Sequence, residues 1–425
     1  MDREDQFIVA VIAFFASGMA SEILFRRTQI PDGLWLILIG IIAGPILGWV
    51  DAERLSILLP YFAPVALIVI LFDGGSKLRL GSLRSTVGRS TLLALSTFAA
   101  SSIVVALASW SVVVFSGLLP DWTWTKALIL GCILGGSSSI VIMPTMQLAK
   151  VDATASNLVS MESAITDALC IVGTSLIITL ALNMHLGALS GGEVATLFSK
   201  TIGVGFVAGV LSGALWLIIL PFLKGPYNYP TTIMFLFLLY LLTKNLGGSP
   251  AFAVLLFSII LGNSRFLGKL LRFKGQRELD HDLKTMHSQI SFLVKTFFFI
   301  LIGVMFNFSL SSLVIALLLT ALIALVRFPA VALGLKGSEF DQQTKNLAKI
   351  CLPRGLAAGV LATMPLQMGI KGMERLSAIV FTVVSFSCVI FAVLFYRARR
   401  KLVVTNPSLA QTDERKVQNE ISQQV

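Results

Sequence analysis

The stretch SMESAITDALCIVG sets two carboxylates, Glu162 and Asp167, into an apolar segment together with Ser163 and Thr166. On a helix turning about 100° per residue, with Glu162 at the origin, Thr166 falls at about 40°, Ser163 at about 100° and Asp167 at about 140°. One polar stripe therefore carries two hydroxyls and one carboxylate, with Glu162 at its edge. Hard oxygen ligands gathered around a single titratable group suit a small cation that competes with a proton. At membrane depth an ionised group costs about 2.5–3.5 kcal/mol, so such residues mark ion pathways or buried pairs. Glu162, displaced from the stripe, is suited to neutralising a buried arginine.

Further polar groups share the apolar background. LGGSSSIVIMP places Gly135, Gly136, Ser137, Ser138, Ser139 and Pro144 in one short run. Such a run is a poor continuous helix. Irregular backbone at this depth lines a cavity and frees carbonyls for a cation, or else small residues let two helices approach closely. LPRGLAAGVLATMP repeats the pattern with Arg354 inside it. Arg327, in LIALVRFPAV, is the lone charge of its span and needs a carboxylate facing it. Asp73 closes LILFDGGSKLRL, either as a helix-end carboxylate or as a cation entrance. Lys295 lies near a helix start, from where its stem can snorkel to the interface.

These groups must be positioned by helices in lipid. Of the 425 residues, 56% are hydrophobic and 13% charged, whereas soluble domains carry about 25% charged residues. Continuous apolar runs of about 20 residues indicate spanning helices rather than barrel strands. The chain divides into about thirteen spans, from 6–24 through 33–50, 55–72, 125–148 (fifth), 156–183 (sixth), 289–307 (tenth), 310–334 (eleventh) and 346–368 (twelfth) to 374–397. Residues 1–401 form one membrane domain and 402–425 a short polar tail. MDRED opens a retained helix rather than a cleaved leader. Most of the 33 Lys and Arg fall in alternate loops, which puts the N-terminus outside and the C-terminus in the cytoplasm. With span 7 as a joiner, the interrupted fifth and twelfth spans take corresponding places in two halves, as in inverted-repeat transporters.

The net charge of +11 is spread over short loops, which argues against nucleic acid as a partner. Cys132, Cys170, Cys351 and Cys388 read as small buried thiols. His185, His281 and His287 fall in loops or span ends, and neither a P-loop nor a nucleophile elbow occurs. An enzyme, a channel and an organic-anion carrier on a related inverted-repeat fold are the competing readings. The expectation is a secondary transporter, not an enzyme, without a cofactor.

TQIPDGLWLILIGIIAGPILG, LFDGGSKLRL, MESAITDA, FFFILIGVMF, the arginine of LVRFP and the PRG of the twelfth span occur in an order that resembles the cation:proton antiporter superfamily, in its NhaP-type branch. The resemblance covers roughly 6–397. It implies crossed, discontinuous spans 5 and 12, a homodimer with a core that moves like an elevator, and sodium or potassium exchanged for protons. The essential aspartate falls on Asp167, the serine ligand on Ser163, and the structural pair on Glu162 and Arg327. The family's Asn before that aspartate is Thr166 here, its Thr-Asp-Pro aligns with Ser137, Ser138 and Ser139, and its third-span acid is Asp73. The loss of a carboxylate at Ser138 leaves both sodium and potassium open and favours electroneutral one-for-one exchange.

Overall fold

The computed structural model describes residues 3–28, 30–78, 84–116, 122–148, 151–184, 191–222, 228–270, 281–306 and 308–405. Among them the chain is helical and contains no strand. In order the helices are α1 (Arg3–Thr28), α2 (Asp32–Ile41), α3 (Ala52–Lys77), α4 (Arg84–Ser116), α5 (Trp124–Ile133), α6 (Ser139–Leu148), α7 (Ala153–Met184) and α8 (Gly191–Ile219). They continue as α9 (Asn228–Asn245), α10 (Pro250–Gly262), α11 (Ser264–Leu270), α12 (His281–Val304), α13 (Leu310–Gly334), α14 (Gln342–Ile350), α15 (Leu356–Gln367) and α16 (Leu376–Thr405).

Eight of these are long and apolar enough to cross a membrane: α1, α3, α4, α7, α8, α12, α13 and α16. Shorter apolar helices occupy the expected second, fifth, ninth (249–264) and twelfth spans, while the eighth (230–244) lies on α9. Local chemistry explains their length. α2 passes into one π-helical stretch, Ile42–Ile46, around Pro45, whose missing N–H breaks the regular ladder. The fifth and twelfth spans are each cut in two, α5/α6 and α14/α15, as the glycine, serine and proline runs imply.

Helix ends depart from the expected boundaries on the charged side. α3 continues to Lys77 and α12 begins at His281, so polar turns extend beyond the apolar cores. α16 runs through Thr405, into the expected tail; residues 406–425 lie outside the described residues. The same holds for much of the basic stretch 265–289 and for His185.

Packing sorts the helices into two groups. In one, α4 packs on α5, α7 and α13, and α13 on α16. In the other, α2 packs on α12, and α10 on α3, α8 and α9. The half-helix α15 bridges them by packing on both α16 and α3. The interrupted twelfth span thus lies where the groups meet, and α5 of the fifth span packs on its α15.

Candidate functional site

The two interrupted spans touch through their unwound segments. Between α5 and α6, residues 134–138 leave the helix; between α14 and α15, residues 351–355 do. Pro353 disfavours helical backbone in the residue before it and brings no N–H of its own. Its carbonyl instead accepts the Ser138 N–H at 2.8 Å, so one unwound segment bonds directly to the other. Gly355 permits that approach, because the Ser138 side chain fills the space a Cβ would need. Gly136 also lies closely on α7, where a Cβ would stand 2.8 Å from Cys170 Sγ.

Arg354 holds the crossing together. The residue is 1% exposed, and each nitrogen of its guanidinium donates to an oxygen. Nε donates to Leu134 O (2.8 Å), Nη1 to Leu352 O (2.9 Å) and Nη2 to Ser101 Oγ (3.2 Å). Its backbone N–H donates to Ser387 Oγ at 3.0 Å. The Leu134 carbonyl belongs to the C-terminal cap of α5, where the helix dipole is negative and a cation is favourable. A buried arginine without a carboxylate partner among the described residues is thereby accounted for.

The polar stripe of α7 faces this crossing, but its residues divide the work differently from the simple ligand set expected. Ser163 Oγ donates to Ser137 O at 2.8 Å and accepts the Ser139 N–H at 2.5 Å. Thr166 Oγ1 accepts the Ser137 N–H at 3.2 Å and donates to Ser163 O at 3.0 Å. Both hydroxyls therefore staple the unwound backbone of the fifth span to α7. Ser137 Oγ is buried with no hydrogen-bond partner among the described residues. Asp167 is half-buried and makes neither a hydrogen bond nor an ion pair among them; it lies within electrostatic range of Asp73 and Arg354.

The other buried charges are paired. Arg327 grips Glu162 with two bonds of 2.9 Å, and Thr97 Oγ1 donates to the same carboxylate at 3.1 Å. Arg327 Nε also donates to Ala348 O at 2.8 Å, tying α13 to α14. Lys295 does not snorkel: it is bonded to Asp32, a carboxylate 3% exposed at the start of α2. A charge more than three turns into α12 meets a partner sooner than it can reach water, and the buried carboxylate stabilises it there. Asp73, at the far end of α3, is held by Lys77 at 2.6 Å and His287 Nε2 at 3.4 Å. Tyr229 OH lies 3.1 Å from His287 Nδ1.

Asp32 and Tyr229, like Thr97, Ser101 and Ser387, are polar residues at depth that reading the sequence passed over, and His287 was expected only at a span end. Asp32 stands one residue outside the expected start of the second span. The requirement that found a partner for Arg327, applied to Lys295, would have directed attention to it.

Comparison with known proteins bears directly on this arrangement. The chain is 25% identical over 348 residues to the Na+/H+ antiporter 1 of Methanocaldococcus jannaschii, covering 79% of this chain and 78% of that one. It is 26% identical over 271 residues to the K+/H+ antiporter NhaP2 of Shewanella oneidensis, covering 62% of this chain but 44% of that longer protein. It is 24% identical to the Na+/H+ antiporter ApNhaP of Aphanothece halophytica, covering 80% of this chain and 62% of the relative. The fold matches the structure of the sodium proton antiporter MjNhaP1 with a TM-score of 0.72 at 21% identity, over 92% of this chain and 100% of that one. The sodium/hydrogen exchanger transmembrane family model matches residues 10–396, nearly the whole helical region. The chain belongs to the sodium/hydrogen exchanger family.

Proposed function

We propose that this multi-pass membrane protein exchanges a monovalent cation for a proton, with Asp167 carrying either one in turn. The observation that carries this reading is the contrast among buried charges. Glu162, Arg327, Asp32, Lys295, Asp73 and Arg354 are all engaged, whereas Asp167 is left without a hydrogen bond or ion pair among the described residues. Beside it stand the unpartnered Ser137 hydroxyl and the unwound backbone of the fifth span. A carboxylate in such a place binds a proton or a cation, and the two compete.

Ser163 and Thr166 hold the backbone of the site, Ser138 and Arg354 hold the crossing, and Glu162 with Arg327 braces α7 against α13. Relatives named for sodium and for potassium exchange are similarly distant, so either ion is a substrate to test. At Arg354, the arginine that an organic-anion carrier would need, each nitrogen already donates to a carbonyl or hydroxyl oxygen. Nothing in the site therefore favours that second reading.

The two helix groups that meet at α15 suit an elevator in which α4–α7 and α13–α16 move against α1–α3 and α9–α12. The latter group would form a homodimer interface in the cytoplasmic membrane, with the N-terminus outside. Purified protein in liposomes, with internal pH followed after addition of sodium, potassium, lithium or rubidium, tests the exchange and ranks the ions. Absence of cation-driven proton flux with all four would refute it.

A further inference from the structure

A cavity of about 480 Å³ opens between the two helix groups, towards the end of α3 far from Asp73. Pro64 and Leu67 of α3, Ser175 of α7, Tyr240 and Lys244 of α9 and Met364 of α15 are among the residues that line it. Small-molecule sites run from about 300 to 1,000 Å³ and are mostly apolar with a few placed polar groups, and this cavity has both properties. Local sequence keeps the space open. Pro60 and Pro64 each remove a ladder bond from α3. The α9–α10 turn along the rim runs through Gly247, whose φ of 74° a side chain would resist.

The polar groups of the cavity suit an anion. Tyr240 and Lys244 stand four residues apart on α9, so their side chains leave the same face. Neither the phenol nor the ammonium has a hydrogen bond or ion pair among the described residues, and no carboxylate among them lines the cavity. Lys200 brings a second cationic side chain to the rim, its Cε 3.9 Å from where a Cβ of Gly247 would stand. The helix dipole alone favours a lysine in the last turn of α9. It does not account for the phenol beside it, turned to the same apolar space. Depth adds a gradient of polarity. Lys244 and Gln367 lie at helix ends on the rim, while Leu67 and Val360 lie seven residues further in than Pro60 and Gln367, roughly 10 Å along a helix.

The geometry points to a binding site for one long-chain carboxylate, its head between Tyr240 and Lys244 and its chain along Leu67 and Val360. The volume suits one hydrocarbon chain, not the two of a diacyl lipid. Because α7 lies on one side and α3 and α9 on the other, an occupant holds the two helix groups together and slows exchange. The slowing rests on the exchange reading above, whereas the binding does not.

The test photolabels the protein, in phosphatidylcholine nanodiscs, with a palmitic acid that carries a diazirine in its chain. Mass spectrometry of the peptides should place a saturable label on the cavity walls. Tyr240→Phe should weaken apparent affinity about tenfold, as loss of a hydrogen bond to a charged group does. Lys244→Gln, at an exposed position, should weaken it roughly 2–5-fold. The methyl ester of the probe should label far less, and phosphatidylglycerol added to the disc should not compete. Equal labelling by the ester, unchanged affinity in both variants, or label outside the cavity overturns the site. Displacement by phosphatidylglycerol assigns the cavity to a lipid headgroup and overturns the single-chain carboxylate. In liposomes, palmitate should lower the Vmax of radiolabelled sodium uptake with KM little changed, and less so in Tyr240→Phe. Uptake unaffected at saturating label overturns the slowing. A wild-type protein that binds the acid but carries no cation refutes the exchange reading and leaves the site standing.

Discussion

Arg327 binds both oxygens of Glu162, Nη1 to Oε1 and Nη2 to Oε2, each at 2.9 Å, in a place where Glu162 is 0% and Arg327 3% exposed. The bidentate fork is the geometry in which guanidinium and carboxylate match best. Thr97 and the Ala348 carbonyl complete it, so four helices converge on one charge pair. Asp167, one turn and a half along α7, has no such partner among the described residues. The same helix thus carries one carboxylate held by a buried arginine and one without a hydrogen bond or ion pair among the described residues.

Breaking the pair should cost stability rather than affinity. Glu162→Gln leaves the Arg327 charge buried without its counter-ion, a loss of about 3–5 kcal/mol. Thermal melting in detergent should fall sharply, while the apparent cation KM of the surviving protein stays near wild type. A stable Glu162→Gln protein with a selectively weakened cation response would reassign Glu162 to the ion site.

The crossing makes a steric prediction. A methyl at position 355 would collide with the Ser138 side chain, so Gly355→Ala should destabilise the protein by about 1–3 kcal/mol, as overpacking does. Combining it with Ser138→Gly should recover part of that loss, because the clash and its relief share one space. Strict additivity of the two changes in melting experiments would show that the residues do not meet.

Among the described residues, the pairing of Lys295 with Asp32 and of Glu162 with Arg327 leaves Asp167 as the one unpaired carboxylate at the crossing, so the proposed exchange has a single group to load, and Ser138 supplies no second. One proton then leaves for each monovalent cation bound, and exchange should be electroneutral. Moving one net charge would couple transport to voltage by about 2.3 kcal/mol per 100 mV. Sodium-driven proton flux in liposomes should therefore be the same with and without a potassium diffusion potential set by valinomycin. A rate or end-point that follows the voltage would show that a further group titrates.

Competition at one carboxylate also sets the direction of the pH dependence. Binding of the proton and of the cation each weakens the other. As pH falls through the titration of Asp167, the apparent KM for the cation should rise, approaching about tenfold per pH unit, while Vmax at saturating cation changes little. A KM independent of pH across the whole active range would exclude a shared site.

Much of this was legible in the sequence, because the physics involved is local. Glycines, serines and a proline in the fifth and twelfth spans cannot sustain a helix, and the structure unwinds both there. A lone Arg327 at membrane depth demands a carboxylate, and Glu162, off the axis of its stripe, supplies it. What stayed hidden depends on which distant segments pack together. Asp32 and Lys295 lie 263 residues apart, and neither flanking sequence signals the other. His287 looked like a span-end residue because the charged turns before it concealed that α12 begins at His281. The backbone bonds of Ser163 and Thr166 stayed hidden for a related reason. Helical spacing places their hydroxyls on the stripe, but only the path of the unwound segment shows that they bond to its backbone.

Asp167 is the residue on which the account turns. Asp167→Asn keeps shape and removes the titratable charge, so the variant should insert, melt as wild type does, and show no proton flux in liposomes driven by a sodium or potassium gradient. Wild-type protein in the same preparation should show that flux. An Asp167→Asn protein that exchanges cations for protons at the wild-type rate would contradict the assignment.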